Sequence, residues 1–411
     1  MKARPSATPA RVLYLAYWGA LEPLGQSLVV PAVLRFAELG VEISLITFEK
    51  SEDLERTEVV RDLAERLSAR GVRWHPLRYH KRPKWPATLF DALVAIVLSL
   101  RLRLSGRFDV VHARTFVAGP IGWFIARLLG ARFVYHNEGF YPDEQVDAGV
   151  WALGSRVYQF AYGLETALYR HADGVVALSH ASLPLIKQRR GNGAGLAVSP
   201  SVIDVDLFRA RGAAPPDDAK APLRFCYLGS LGGRYRVDDL MRFVAGVRER
   251  RATHLLVISR SEEALIHRAA SEAGLGSDAY TVRSVARSEV PTLLASRQVG
   301  LHFLPKTVGT IGGSPTKIGE YWACGLPVVI SAGMGDVDDI VRREGIGVVL
   351  NGEREPSTEG RACLEELGAI LADPDLAARC RAAAARHYGL EVGVAAQLKL
   401  YDHLLGNGGA H

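Results

Sequence analysis

Short apolar runs rich in β-branched residues alternate with amphipathic stretches along nearly the whole chain. In the first half the apolar runs fall at residues 12–16, 41–47, 110–112, 133–135 and 174–178. Their near-continuous hydrophobicity predicts strands buried on both faces. Helical periodicity occupies 27–38, 53–67, 88–100, 117–129 and 151–170 between them. In the last of these, Leu153, Val157, Phe160, Leu164 and Leu168 recur at intervals of three and four, which predicts one apolar stripe. The alternation stops at 209–222, a stretch rich in Pro, Ala and Asp, and then restarts with strands predicted at 225–228, 254–259, 280–282, 299–304, 328–331 and 348–350. Helical patterns at 358–373, 375–387 and 391–405 close the chain.

Strand–helix alternation repeated over two such stretches predicts an α/β protein of two Rossmann-like, doubly wound domains. The expected division is an N-terminal domain over 1–208, a linker over 209–222, a second domain over 223–388 and a terminal helix over 389–411. Ligands on sheets of this kind bind at the carboxyl ends of the strands, so two such domains facing across a cleft would share one pocket.

Composition changes this picture little. Hydrophobic residues make up 48% of the 411 and charged residues 23%, as in globular proteins. The four cysteines, Cys226, Cys324, Cys363 and Cys380, show no metal-ligand spacing and read as buried thiols in a reducing compartment. The apolar run at 12–18 is too short for a secretory signal and no run reaches a membrane span, so a cytoplasmic location is expected. Charge adds more. The net charge is +6, yet between Arg70 and Arg107 nine bases stand against one acid, Asp91. A single basic segment therefore outweighs the excess of the whole chain.

The most informative segment is Ser314-Pro315-Thr316-Lys317-Ile318-Gly319-Glu320-Tyr321-Trp322-Ala323-Cys324-Gly325-Leu326-Pro327-Val328-Val329. Ser314 reads as a helix N-cap, Pro315 as the first helical residue and Gly325 as the stop. A loop at 306–313, with Gly309, Gly312 and Gly313, runs into that helix. Free N–H groups and the helix dipole make such a junction an anion seat. Lys317 adds a point charge suited to phosphate, and the Glu320 carboxylate, on the same face, can accept two hydrogen bonds from a vicinal diol such as a ribose.

This segment resembles the nucleotide-binding motif of family-4 glycosyltransferases, in the branch with S-P-T-K-x-x-E-Y. Four further stretches resemble that branch in the same order: Trp18 to Ser27, with Gly19, Ala20 and Gly25 in a glycine loop; Phe108 to Arg114; Gly139 to Glu144; and Tyr227 to Gly233. The resemblance implies a GT-B fold, with terminal helices packing back toward the N-terminal domain. It also implies a nucleotide-sugar donor, a glycan or lipid-linked acceptor and usually a retaining outcome. By its motif, Glu320 would hold the donor's ribose. The backbone at Gly312, Gly313, Ser314, Pro315 and Thr316, together with Lys317, would hold the diphosphate, and Gly19, Ala20, Gly25, Gly229, Ser230 and Arg234 would assist in binding the nucleotide. His112, Lys317 and Glu320 are the expected catalytic set, and Arg114, Asp143 and Glu144 the expected sugar or acceptor contacts. Two departures stand out. The family's first motif glutamate would fall at Gly312, and the usual basic pair of the second domain's first loop is replaced by Arg234 and Arg236 at shifted positions.

No metal and no resident cofactor are expected. Asp204-Val205-Asp206 and Asp336-Val337-Asp338 imitate a metal-binding D-x-D but sit before the linker and at a helix start. No G-x-G-x-x-G, P-loop or G-x-S-x-G is present. The basic segment with the apolar helix after it, residues 78–104, suits peripheral contact with an anionic membrane at the inner face of the cell membrane. Nucleic acid is not expected, because no stacking aromatics alternate with the bases. The expected function is that of a glycosyltransferase in surface-polysaccharide or glycoconjugate assembly; a nucleotide-sugar epimerase on the same scaffold and a non-catalytic scaffold subunit are the alternatives.

Overall fold

A computed structural model describes residues 10–191, 195–208 and 221–406, without the side chains of Lys84 and Trp85. Most of the expected linker, 209–220, lies outside the described residues. The chain divides into two units: Met1–Tyr141, Gln159–Val202 and Leu390–His411 form the first, Pro142–Tyr158 and Ile203–Gly389 the second.

The first unit holds β1 (Arg11–Ala16), β2 (Glu42–Glu49), β3 (Arg73–Arg78), β4 (Val110–Arg114), β5 (Arg132–His136), β6 (Gly174–Ala177) and β7 (Leu196–Val198), in the order β3-β2-β1-β4-β5-β6-β7, all parallel. The chain starts in the middle of the sheet and reverses there, which is the doubly wound pattern. No apolar run predicts β3. It reads Arg-Trp-His-Pro-Leu-Arg, half-exposed, and Pro76 is tolerated because the strand lies at the sheet edge. The terminal helix Leu390–Leu404 belongs to this unit and buries Val394, Leu398, Leu400 and Tyr401 in its core.

The second unit holds β8 (Leu223–Leu228), β9 (Thr253–Ile258), β10 (Tyr280–Arg283), β11 (Val299–His302), β12 (Val328–Ser331) and β13 (Gly347–Leu350), in the order β10-β9-β8-β11-β12-β13, again parallel. Strand alternation sends Phe225, Tyr227, Leu255 and Val257 to one face, and Cys226, Leu256 and Ile258 to the other. Helices cover both faces, so both are apolar. All four cysteines are free and buried.

Only the C-terminal end of the apolar stripe expected along 153–168 is buried. Leu153, Val157 and Phe160 are exposed, whereas helix Arg156–His171 buries Ala161, Glu165, Leu168 and Tyr169. On the buried side Glu165 pairs with Arg189 Nη1 at 2.7 Å.

Candidate active site

In the second unit, helix Thr316–Ala323 starts one residue later than the sequence suggests. Pro315 is the N-cap, with ψ of 119°, and its carbonyl accepts from Ile318 N at 3.1 Å. Ser314 does not cap the helix; its hydroxyl hydrogen-bonds Tyr388. The helix ends as expected. Gly325 takes φ of 81°, and the bonds Leu326 N→Tyr321 O and Gly325 N→Trp322 O form a Schellman motif. The preceding loop is more ordered than its glycines imply. Val308–Ile311 makes a helical turn, closed by Thr310 Oγ1, which donates to Thr307 O and accepts from Thr307 N.

Lys317 and Glu320 lie on the buried side of that helix. The Lys317 ammonium donates to Tyr227 Oη at 3.0 Å and lies 4.4 and 4.8 Å from the ring centroids of Tyr227 and Tyr235. Those two rings offset part of the cost of burying a cation. Burial still pushes its pKa from an ordinary 10.5 down to about 7. Gly229, at the end of β8, leaves the ammonium approachable, since a Cβ there would sit 3.0 Å from Nζ. Arg287 Nη2 donates to Glu320 Oε1 at 2.9 Å, and burial raises the carboxyl's pKa against that pull. Arg234 pairs with Glu144 at 2.7 Å, while Arg236 pairs with Asp239 at the surface. Ser230 accepts from Tyr227 Oη through its carbonyl.

The structure thus gathers Gly229, Ser230, Arg234, Lys317 and Glu320 at the carboxyl ends of β8 and β11, with Gly312 and Gly313 on the approach to the helix. It also brings in groups that sequence reasoning missed. Tyr227, Tyr235 and Arg287 are set by tertiary packing alone. His302, at the end of β11, is fully buried with its ring centroid 6.4 Å from that of Tyr227 and 6.0 Å from that of Tyr235, and neither of its ring nitrogens has a hydrogen-bond partner among the described residues. Glu144 and Asp143, expected on the acceptor side, belong to the second unit, where Asp143 accepts from Tyr158 Oη at 3.0 Å. Thr307 Oγ1 donates to Asp147 at 2.5 Å beside them.

In the first unit the glycine loop leaves β1. Ala20 N and Leu21 N donate to the buried Glu49 carboxylate at 2.7 and 3.1 Å, and Gln26 Nε2 donates to Ala20 O. A Cβ on Gly25 would fall 1.9 Å from Gly19 O, so only glycine fits where the loop turns into the helix. Gly25→Ala is therefore expected to cost about 1–3 kcal/mol of stability through forced backbone movement, read as a lowered denaturation midpoint in urea; an unchanged midpoint would refute the packing argument.

His112 does not point into an opening. It is fully buried, stacked on Tyr14, with Nδ1 2.6 Å from Tyr401 Oη and Nε2 3.1 Å from His136 Nδ1. Both nitrogens are engaged, and burial holds the ring neutral, so the catalytic role expected of His112 does not agree with this placement. Arg114 is likewise committed, to Glu138 at 2.5 Å and to Leu28 O. Expected at the end of its strand, His112 lies instead in the middle of β4, where the terminal helix covers it through Tyr401. Tyr401→Phe would strip Nδ1 of its partner in a dry site and is expected to cost about 1–3 kcal/mol, measured by chemical denaturation; no loss would mean that this bond is dispensable.

Asp338 of the second D-x-D accepts from Gly333 N and Met334 N, and Asp204 of the first from Leu207 N. Each is committed to its own turn. Among the described residues no group of three or more His, Cys, Asp or Glu is placed to hold a metal ion.

Two family models match the chain, a glycosyl transferase 4-like domain over residues 32–200 and glycosyl transferases group 1 over 222–365. The chain is a glycosyltransferase of the GT-B fold. A D-inositol 3-phosphate glycosyltransferase of Streptomyces scabiei is 24% identical over 91% of this chain and 84% of its own. Sucrose-phosphate synthase from Thermosynechococcus elongatus superposes with a TM-score of 0.67 at 14% identity, covering 97% of this glycosyltransferase and all (100%) of that chain. Anabaena HepE, crystallised with UDP and glucose, superposes at 0.63 with 14% identity, covering 97% and 99%. The epimerase and non-catalytic alternatives fall away.

Proposed function

We propose that this glycosyltransferase moves a sugar from a nucleoside diphosphate sugar to a glycan or lipid-linked acceptor, with retention and without a metal, in the assembly of a surface polysaccharide or glycoconjugate. One observation carries the donor reading. At the carboxyl ends of β8 and β11 a buried lysine is left approachable through Gly229, and a buried carboxylate, held by Arg287, lies one helical turn deeper. Cation, glycine backbone and carboxylate at that spacing match a pyrophosphate with its ribose. HepE's complex with UDP and glucose supports the same donor class.

In the proposed reaction the bond between the anomeric carbon and the diphosphate oxygen breaks, a bond to the acceptor hydroxyl oxygen forms, and the hydroxyl proton passes to the departing diphosphate. Lys317 and the amides entering helix Thr316–Ala323 stabilise the charge gathering on the departing diphosphate. The reading of 314–329 as the family-4 nucleotide motif belongs to this proposal. So does a peripheral contact of 78–104 with an anionic membrane, which would bring the enzyme to a lipid-linked acceptor. Gly312, in place of a motif carboxylate, leaves donor-sugar handling to other groups. A panel of UDP- and GDP-sugars screened by thermal shift tests the proposal: at least one should raise the melting temperature, and no response across the panel would overturn it.

A further inference from the structure

Helix Lys84–Arg103 is built inside out. Its inward face is Ala87, Asp91, Ala95 and Ser99, spaced four apart and at most 6% exposed. Small and polar residues thus face the protein. Asp91 accepts from Tyr17 Oη at 3.0 Å and from His80 N at 3.2 Å, and sits 2.6 Å from His80 Nδ1; Ser99 Oγ donates to Ala95 O. The outward face carries Leu89, Phe90, Leu93, Val97 and Leu100, followed by Leu104 at the C-cap, between 40% and 89% exposed. On helix Ala118–Leu129, which packs beside it, Phe124 and Leu128 are also about half exposed. An aqueous surface selects the opposite arrangement, and a contiguous apolar face of this extent marks a contact surface.

The flanking charge identifies the occupant. Lys81 and Arg82 precede the helix, and Arg101, Arg103 and Arg107 close or follow it. The one acid between 70 and 107, Asp91, is turned inward. A two-fold mate of this chain would set positive ends against positive ends whether the helices ran parallel or antiparallel. Lipid phosphates would pair with them. No helix among the described residues is long and apolar enough to cross a membrane.

We infer that helix Lys84–Arg103 lies in the plane of an anionic bilayer surface, its leucine stripe sunk to the headgroup–acyl boundary and its terminal arginines on lipid phosphates. This rests on the reading of 78–104 as membrane-facing and not on the donor site. The full-length protein floated with vesicles of phosphatidylcholine and phosphatidylglycerol should partition about tenfold more than with phosphatidylcholine alone, and salt should weaken it. Leu89→Ser/Leu93→Ser/Leu100→Ser should abolish flotation, and Arg101→Gln/Arg103→Gln should remove the anionic preference, with circular dichroism and nucleotide-induced thermal shift unchanged in both. Equal partition to the two vesicles overturns the inference. So does a dimer in analytical ultracentrifugation that the triple variant dissolves, which would assign the face to a second copy.

Discussion

Lys317→Met is expected to lower kcat/KM by about 10²–10³-fold, because it removes a preorganised charge from the place where the leaving diphosphate gathers its own. The ammonium cannot be replaced from nearby, since Arg234 is held by Glu144 and Arg236 faces Asp239 at the surface. A pH signature separates this role from packing. Burial lowers the folded-state pKa from 10.5 to about 7, so between those values the unfolded chain binds a proton that the folded chain does not. Stability therefore rises with pH across that window through this group. A bound diphosphate restores the proton, so nucleotide affinity should fall as pH climbs through it. Lys317→Met should flatten both dependences. Calorimetry at several pH values checks this, and a wild-type affinity indifferent to pH over that window would exclude Lys317 from the diphosphate contact.

The second large effect concerns the carboxylate one turn on. Glu320→Gln is expected to weaken UDP or GDP binding about ten- to a hundredfold, the loss of a charge-assisted hydrogen bond of roughly 1.5–3 kcal/mol. Stability should fall less, because Arg287 is partly exposed and its freed guanidinium can hydrate. Glu320→Gln that bound nucleotide as tightly as the parent, by calorimetry, would place the ribose elsewhere.

Much of this was legible in one dimension. Strands buried on both faces write themselves as unbroken apolar runs, so the second unit's strands can be read from residue order alone. The helix stop at Gly325 is likewise a local matter of one left-handed residue. The candidate seat was legible for the same reason: Lys317 and Glu320 share a face by helical period alone.

Other features depended on groups far apart in the chain. β3 has no apolar run because an edge strand is half-solvated, and its pairing with β2 supplies what its composition lacks. The burial of His112 depends on Tyr401, 289 residues away, and no local pattern announces a cover that arrives from the last helix. Tyr227, Tyr235 and Arg287 become neighbours of Lys317 and Glu320 only when β8, β11 and the segments after them are assembled. Helix Arg156–His171 buries Glu165 beside Leu168 and Tyr169, which no apolar period announces, because Arg189 arrives from elsewhere in the chain to pair with it. Hydrophobic period sets which residues can be buried; the partners that tertiary structure brings to each polar group decide which ones are.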